Sequence, residues 1–281
     1  MLISTTSEAT AGTVPNSEGL ISTPIPRLLD LLILEEIEPD VFHAGTLFDD
    51  PMNLYGGQVA AQALYAVGQT VSEERVPHSM HCYFLRAGDP MKAVDYFVHR
   101  DRDGRSFSSR TVSAMQEGRE IFTMSASFHL EESGPDVQSA RRATVLGPDD
   151  PRSRGLTHRT VDVDYRDPRE VPNDDMLRQV WMKCSMELGD APLLHACLIA
   201  YMSDMFTGLF ELVPRREDVA LSSLDHVVWF VRQARADDWL LMDLKGESLS
   251  HGRGLYSGDI FDVEGRLVAK LMQESLYRPR V

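Results

Sequence analysis

The chain has few cysteines, and none of them are paired in C-x-x-C spacing. Its 281 residues include three cysteines, Cys82, Cys184 and Cys197, each in an apolar stretch. An odd count without C-x-x-C argues against a disulfide framework, a zinc ribbon or a thioredoxin-like redox motif. We therefore expect buried free thiols and a reducing, cytoplasmic location.

Long apolar runs and targeting signals are also lacking. The longest apolar run, Leu28–Leu34, is interrupted by Asp30 and is far too short to cross a membrane. Residues 1–24 are rich in small and polar residues and lack the basic start and apolar core of a secretory signal. We predict a disordered tail for residues 1–24 and no membrane partner.

Positive charge is scarce. The chain carries 28 Lys and Arg against 43 Asp and Glu, for a formal net charge of −15. Nucleic-acid binding needs clustered cations that neutralise phosphates, so this balance argues against a nucleic-acid partner. An anionic ligand would need a local basic patch to overcome the overall repulsion.

The familiar catalytic motifs are missing as well. The sequence has no G-x-S-x-G elbow, no H-E-x-x-H and no Walker A loop. Its nine histidines do not fall into ligand clusters. We expect no metal and no resident cofactor.

The sequence contains an internal repeat: two segments share the same order of features. His81–Phe128 and His226–Tyr277 each open with a histidine and an aromatic-rich apolar strand, followed by a basic segment rich in Gly and Ser. Each then has a Glu-Gly-Arg turn, at Glu117–Arg119 and at Glu264–Arg266, and a final alternating strand. A repeat of this size, in a chain that is 43% hydrophobic, predicts two similar domains.

Each half reads as a long helix with a run of antiparallel strands. Long helices are predicted at Gln58–Thr70 and Pro192–Leu212, and a short amphipathic helix at Pro26–Glu38. The first long helix is rich in Ala, which would let a sheet wrap closely around it. Strands are predicted at His78–Leu85, Lys92–Arg102, Ser106–Gln116, Arg119–His129, Thr160–Tyr165, Arg178–Cys184, Leu221–Phe230, Trp239–Ser248, Arg253–Phe261 and Leu267–Tyr277.

These elements predict an α+β fold with two domains. In each domain an antiparallel sheet buries one face on its helix. Residues 131–158 are rich in Pro, Gly, Asp and Arg and read as a linker. The domains would then be 25–130 and 159–281.

Three polar residues in the second half are candidates for a site. Asp204 lies in an apolar helical stretch, where a buried carboxylate is costly unless it is paired or functional. Gln273 lies on the last strand, where the first half has Ala126, and Ser223 lies at the entry of a strand. The alternatives are an exposed Asp on the polar side of an amphipathic helix for Asp204, a solvent-facing strand residue for Gln273 and a simple polar residue at a strand entry for Ser223.

Strand alternation adds an expectation about the histidines. It places Asp225 on the same side as Ser223 and turns His226 to the opposite side. Asp225 and His226 would then not form an acid–base pair. Because His81 and His226 occupy matching positions in the two halves, we expect a structural role for both.

Several strings together resemble the acyl-CoA thioesterase II (TesB-like) family, over residues 28–278. They lie at Gly56–Leu64, His78–Asp89, Arg102–Arg110, Arg178–Trp181, Tyr201–Asp204, Leu224–Phe230 and Gln273–Glu274. The resemblance implies a double hotdog, in which each half is a curved antiparallel sheet around a long helix and the two sheets join into one. It also implies a homo-oligomer, either a dimer or a tetramer.

The resemblance implies an activity too: hydrolysis of fatty acyl-CoA to a free fatty acid and CoA by an oriented water. The family's catalytic Asp, Thr and Gln fall on Asp204, Ser223 and Gln273, with Ser in place of the usual Thr. A thioester is activated enough to need no covalent enzyme intermediate, so a carboxylate that accepts the water's proton suffices. Oxyanion donors would come from backbone N–H groups near a helix start.

Two other functions stay open at this point. A hotdog enoyl-CoA hydratase or hydroxyacyl dehydratase would need an Asp–His pair, and no histidine has a convincing place beside Asp204. A non-catalytic acyl-CoA binding module is the other alternative, which the Ser at position 223 keeps open.

Overall fold

The computed structural model describes residues 27–46, 53–156, 162–170, 178–213 and 219–279. The tail predicted for residues 1–24 lies outside these ranges.

The described residues form fourteen strands, two α-helices and two short 3-10 helices. The helices are α1 (Gly56–Gly68) and α2 (Pro192–Ser203), and the 3-10 helices are Leu28–Leu32 and Gly208–Glu211. The strands are Glu35–Glu38 (β1), Val41–Ala44 (β2), Arg75–Phe84 (β3), Val94–Asp103 (β4), Phe107–Gln116 (β5), Arg119–Leu130 (β6), Arg154–Leu156 (β7), Val163–Asp167 (β8), Gln179–Cys184 (β9), Val219–Ser223 (β10), Asp225–Phe230 (β11), Leu240–Ser250 (β12), Arg253–Phe261 (β13) and Leu267–Pro279 (β14).

All these strands belong to one sheet. Its order is β1-β2-β4-β5-β6-β3-β11-β14-β13-β12-β9-β8-β7, and β10 pairs with β14 beside β11. The pairings are antiparallel throughout. Strands β1–β6 therefore lie on one side of the sheet's centre, and β7–β14 lie on the other.

The two halves meet where β3 pairs with β11. His226 lies opposite Cys82, and Val227 lies opposite His81. The Cys82 thiol donates to the backbone oxygen of His226 at 3.1 Å, so a side chain reinforces the seam. Cys82, Cys184 and Cys197 are all buried and free, as the sequence predicted.

The two helices pack against each other on one face of the sheet. Glycines set their distance: a Cβ on Gly57 would lie 2.6 Å from the backbone oxygen of Tyr201, and one on Gly68 would lie 2.4 Å from the Leu193 side chain. The start of α1 thus meets the end of α2, and the helices run antiparallel. The alanines of α1 are buried, at 0–1% exposure, as expected for the close wrapping that the Ala content predicted.

Two predicted helices were partly wrong. Within the described part of the predicted Pro26–Glu38 helix, which begins at Arg27, helical structure is limited to the 3-10 helix Leu28–Leu32. Glu35–Glu38 is a strand, because its backbone pairs with β2 at the sheet edge. The helix predicted to reach Leu212 ends at Ser203, and a separate 3-10 helix follows. Residues 192–211 are long and apolar enough to cross a membrane, with a mean hydropathy of 1.4 over an 18-residue window, but 61% of that window is buried inside the protein.

A buried arginine ties the end of α1 to the sheet. The Arg110 side chain is 1% exposed and ion-pairs with Asp103 at 2.9 Å. Its guanidinium also donates to the Thr70 hydroxyl at 2.8 Å and to the Thr70 backbone oxygen at 2.9 Å. Burying a guanidinium is costly unless it is paired, so the fold depends on the contacts of Arg110 with Asp103 and Thr70.

We expect Arg110→Ala to lower the free energy of unfolding by about 3 kcal/mol or more, because it leaves the Thr70 oxygens without their donor and opens a cavity. Urea unfolding followed by circular dichroism measures this. The exposed neighbour Arg105 is the matched control, and Arg105→Ala should change stability by about 0.5 kcal/mol or less. Equal effects of the two substitutions would contradict the structural role of Arg110.

Candidate active site

The amide of Gln273 brings the three candidate residues together. Its Nε2 donates to Asp204 Oδ1 at 3.1 Å and to Ser223 Oγ at 2.6 Å. Gln273 itself is buried, whereas Asp204 and Ser223 are partly exposed. A carboxylate, a hydroxyl and an amide thus share one small polar cluster that a substrate can reach.

Both halves of the chain build the surroundings of Asp204. Asp204 directly follows the last residue of α2, and the backbone N–H of Gly57, in the first turn of α1, donates to its carboxylate. A Cβ on Gly56 would lie 2.7 Å from Asp204 Oδ2 and 2.7 Å from the Phe84 ring. Glycines at the start of α1 therefore let the carboxylate approach the positive end of that helix.

The electrostatics of Asp204 suit a base that works near neutral pH. Burial raises the pKa of its carboxyl to about 7, while the hydrogen bonds from Gln273 and Gly57 partly oppose the rise. A base with this pKa is present in both protonation states at pH 7, which is the range in which general bases are most useful.

The ionisable neighbours of Asp204 stay neutral. Burial raises the pKa of Tyr55, Cys82 and Tyr256 well above their usual values, and the charge of Asp204 raises each of them further. These groups carry no charge in the working range, so Asp204 is the group here that titrates near neutrality.

Ser223 is aimed at the site by an irregularity in its strand. Ser223 lies opposite Ser275 on β14, but Val227 lies opposite Met272, so the strand has one residue more than its partner across this interval. The extra residue falls around Leu224, whose N–H donates to the backbone oxygen of Glu274 at 2.9 Å. This is a β-bulge, a device that redirects a side chain next to a site.

The bulge overturns the predicted sides of both Asp225 and His226 relative to Ser223. Simple alternation turned His226 away from the side of Ser223, but the extra residue reverses the alternation, and His226 lies fully buried at 0% exposure. Its Nε2 is 2.8 Å from Ser203 Oγ on α2. Burial lowers the pKa of His226 to about 4, so it is neutral at pH 7.

The two matching histidines differ in their surroundings. His81 is exposed on the other face of the sheet, with its ring 5.3 Å from that of Trp229. His226 and Gly57 were the site neighbours that the sequence reasoning missed. For Gly57 the available signal was the Gly56-Gly57 pair at the start of an Ala-rich helix. For His226 there was none, because nothing in the sequence marked the bulge that turns its side chain.

A separate cavity of about 490 Å³ lies at the other end of the helix pair. The start of α2 lines it, with Pro192 and His195, together with Arg232, Arg235 and Arg266. Asp204, Ser223 and Gln273 do not line it. Its arginines already form ion pairs with neighbouring carboxylates.

The fold is that of hotdog proteins. A solved protein with a hot dog fold from Alicyclobacillus acidocaldarius superposes with a TM-score of 0.75, covering 90% of this chain and 98% of that chain at 18% identity. Acyl-CoA thioesterase II TesB2 from Mycobacterium marinum gives a TM-score of 0.76 at 37% identity, covering 90% of this chain and 97% of that chain.

The sequence comparisons give the family. Residues 48–129 match the family model of the acyl-CoA thioesterase N-terminal domain, and residues 135–277 match that of the C-terminal domain. Acyl-coenzyme A thioesterase 8 of Rattus norvegicus is 33% identical, over 89% of this chain and 89% of that protein. Acyl-CoA thioesterase 2 of Haemophilus influenzae is 30% identical, over 92% and 99%. The chain belongs to the acyl-CoA thioesterase family.

Asp204 should lower the stability of the fold at neutral and alkaline pH. Its folded pKa of about 7 lies above its usual value of 3.8, so stability is fully present below the usual value and is lost as pH rises through about 7. We expect Asp204→Asn to unfold with a free energy larger than wild type by about 1–3 kcal/mol at pH 8, and by much less at pH 4.5. Urea unfolding at both pH values measures this.

The exposed Asp238 is the control for this comparison. Asp238→Asn should give the same difference from wild type at both pH values. If Asp204→Asn raised the free energy of unfolding by the same amount at both pH values, the fold would not disfavour the ionised form of Asp204.

Proposed function

We propose that Asp204, Ser223 and Gln273 hydrolyse fatty acyl-CoA by direct attack of a water molecule on the thioester. Membership of its family makes the chain an acyl-CoA thioester hydrolase, which releases a fatty acid and CoA. The observation that carries the residue assignment is the hydrogen-bonded cluster of Gln273 with Asp204 and Ser223.

The reaction divides into two proton movements. Asp204 accepts a proton from the water while the water oxygen bonds to the carbonyl carbon, giving a tetrahedral intermediate. The intermediate then collapses, the C–S bond breaks with its electron pair on sulfur, and protonated Asp204 returns the proton to the CoA thiolate. Atoms and charges balance without a covalent enzyme intermediate or a cofactor.

The amide and the hydroxyl orient the water in this scheme. Both Nε2 hydrogens of Gln273 are used on Asp204 and Ser223, so the Ser223 hydroxyl keeps its own hydrogen to donate to the water. One lone pair of the water then stays directed at the substrate. For the oxyanion we assign the backbone N–H of Gly56 at the positive end of α1.

The architecture that we propose is a double hotdog. Its domains would be residues 25–130 and 159–281, with linker 131–158 between them. The support is the matching layout of the two halves, each with one long helix, and the direct pairing of β3 with β11 that makes one sheet.

A homo-oligomer, either a dimer or a tetramer, is part of the proposal. Apolar side chains stand exposed on the outer face of the central strands: Tyr83 at 60%, Trp229 at 38% and Met272 at 37%. A sheet face of this kind suits a second copy of the chain. For the compartment we propose the cytoplasm, which suits three free thiols.

The geometry weighs against the hydratase alternative. Such an enzyme needs an Asp–His pair for acid–base chemistry on the acyl chain. The buried His226 contacts Ser203 rather than Asp204, and with a pKa lowered to about 4 it is a poor acid–base partner at pH 7.

We expect Asp204→Asn to slow CoA release about 100-fold, on the order of a lost general base. The measurement is release of free thiol from a panel of short to long acyl-CoAs. The control is Asp225→Asn, two residues from Ser223, because Asp225 Oδ1 accepts the Glu274 N–H at 2.6 Å and an Asn can keep that bond. The control should stay within about threefold of wild type. Binding without turnover by the wild type would instead support the non-catalytic module.

The rate should also follow the ionisation of Asp204. Only the carboxylate can accept a proton, so kcat/KM should rise as pH increases through about 7 and level off above it. His226, with its pKa near 4, should add no step in this range. A profile measured with one acyl-CoA in buffers of constant ionic strength that proved flat from acid to alkaline pH would exclude Asp204 as the base.

A further inference from the structure

Two buried polar atoms beside the catalytic cluster lack hydrogen bonds. Within the part of the chain that the structure describes, His226 Nδ1 and Gln273 Oε1 have no partner. Leaving such groups unsatisfied costs about 1–3 kcal/mol each. The two residues are neighbours across paired strands, because Val227 lies opposite Met272 and His226 and Gln273 are the next residues on β11 and β14. Gln273 also raises the pKa of His226, against the larger effect of burial.

The rest of the imidazole is already fixed. Its Nε2 lies 2.8 Å from Ser203 Oγ, and the same hydroxyl lies 2.9 Å from the backbone oxygen of Ala200. A hydroxyl has one hydrogen, so Ser203 donates to only one of the two. When it donates to Nε2, the imidazole proton must sit on Nδ1, and Nδ1–H can then donate to Gln273 Oε1.

The orientation of the Gln273 amide matters for the chemistry. Its NH₂ group donates to Asp204 and Ser223, which leaves Oε1 as the remaining end of the amide. Turning the amide over would set its oxygen against the Asp204 carboxylate and remove the donor that helps to hold the pKa of Asp204 down. Some group must therefore favour one of the two orientations.

We propose that His226 is a positioning residue for the thioester hydrolysis: held by Ser203, its Nδ1–H donates to Gln273 Oε1 and keeps the amide nitrogen directed at Asp204 and Ser223. This inference rests on the function proposed above, and it places a second row of side chains, Ser203 and His226, behind the catalytic row.

His226 acts as a neutral donor in this arrangement. The groups around it are the Gln273 amide, the Ser203 hydroxyl and the neutral Cys82 thiol, whose hydrogen bond goes to the His226 backbone. The groups around Asp204 (Tyr55, Cys82 and Tyr256) are neutral as well. A change in the pH profile of a His226 variant therefore reports on the contact between Gln273 and Asp204.

A double-mutant cycle between His226 and Gln273 tests the proposal. His226→Leu in the full chain should lower kcat about 10- to 100-fold with little change in KM. In the Gln273→Ala background the same substitution should cost less than about twofold, because residues that act through one another are not additive. Equal losses in both backgrounds would overturn the proposal.

Isosteric variants supply an independent readout. The amide nitrogen of Asn can stand near the place of Nδ1, and that of Gln near the place of Nε2. His226→Asn should lose about threefold in kcat, and His226→Gln should lose as much as His226→Leu, with the pH midpoint of kcat/KM moved upward from that of wild type. Losses in the reverse order, or an unmoved midpoint in the impaired variants, would overturn the proposal.

The catalytic assignment and the positioning role of His226 can be refuted separately. If Asp204→Asn or Gln273→Ala leaves CoA release intact, the catalytic assignment itself is wrong. If those variants are impaired while His226 behaves additively, only the positioning role is wrong. If thermal unfolding shows that the Leu variant does not fold, the comparison of Asn with Gln decides.

Discussion

The site depends on one constraint: a carboxylate must be held where water cannot fully solvate it, without a cation beside it. Asp204 meets this constraint at the junction of two helices, where α2 ends and α1 begins. The stabilisation comes from a backbone N–H of Gly57, from the dipole of α1 and from the Gln273 amide. These donors are weaker than a salt bridge, so burial prevails and the pKa of the carboxyl stays at about 7. The glycines at 56 and 57 follow from the same constraint, since any side chain there would push the helices apart.

The duplicated layout yields an asymmetric result. Asp204, Ser223 and Gln273 come from the second half, while the first half contributes the start of α1. At the other end of the helix pair, the end of α1 is closed by Arg110, which occupies the Thr70 acceptors. The first half therefore contributes the packing around α1, and it supplies the start of that helix to the site in place of catalytic side chains.

Much of the fold was readable from the sequence, because long periodic segments and glycine turns are local signals. The helix α1 and most strands fell within a few residues of their predicted bounds, and β13 matched at both ends. The misses came from tertiary structure. Glu35–Glu38 forms a strand only because β2 offers it an edge, and α2 stops at Ser203, where the chain turns so that Asp204 faces α1. The site could be predicted residue by residue only through the family resemblance; the bulge at Leu224 left no mark in the sequence, so the direction of His226 was predicted wrongly.

The seam between β3 and β11 has a consequence for the order in which the chain is made. During synthesis the first half leaves the ribosome with β3 paired to β6 on one side only. Its other edge, flanked by apolar side chains such as Tyr83, stays open until residues 225–230 have been made and can pair with it. An uncovered strand edge is a template for pairing with a second nascent chain. The risk of misassembly is thus concentrated in the interval between the two halves, and the fusion of both in one polypeptide keeps the correct partner close at hand.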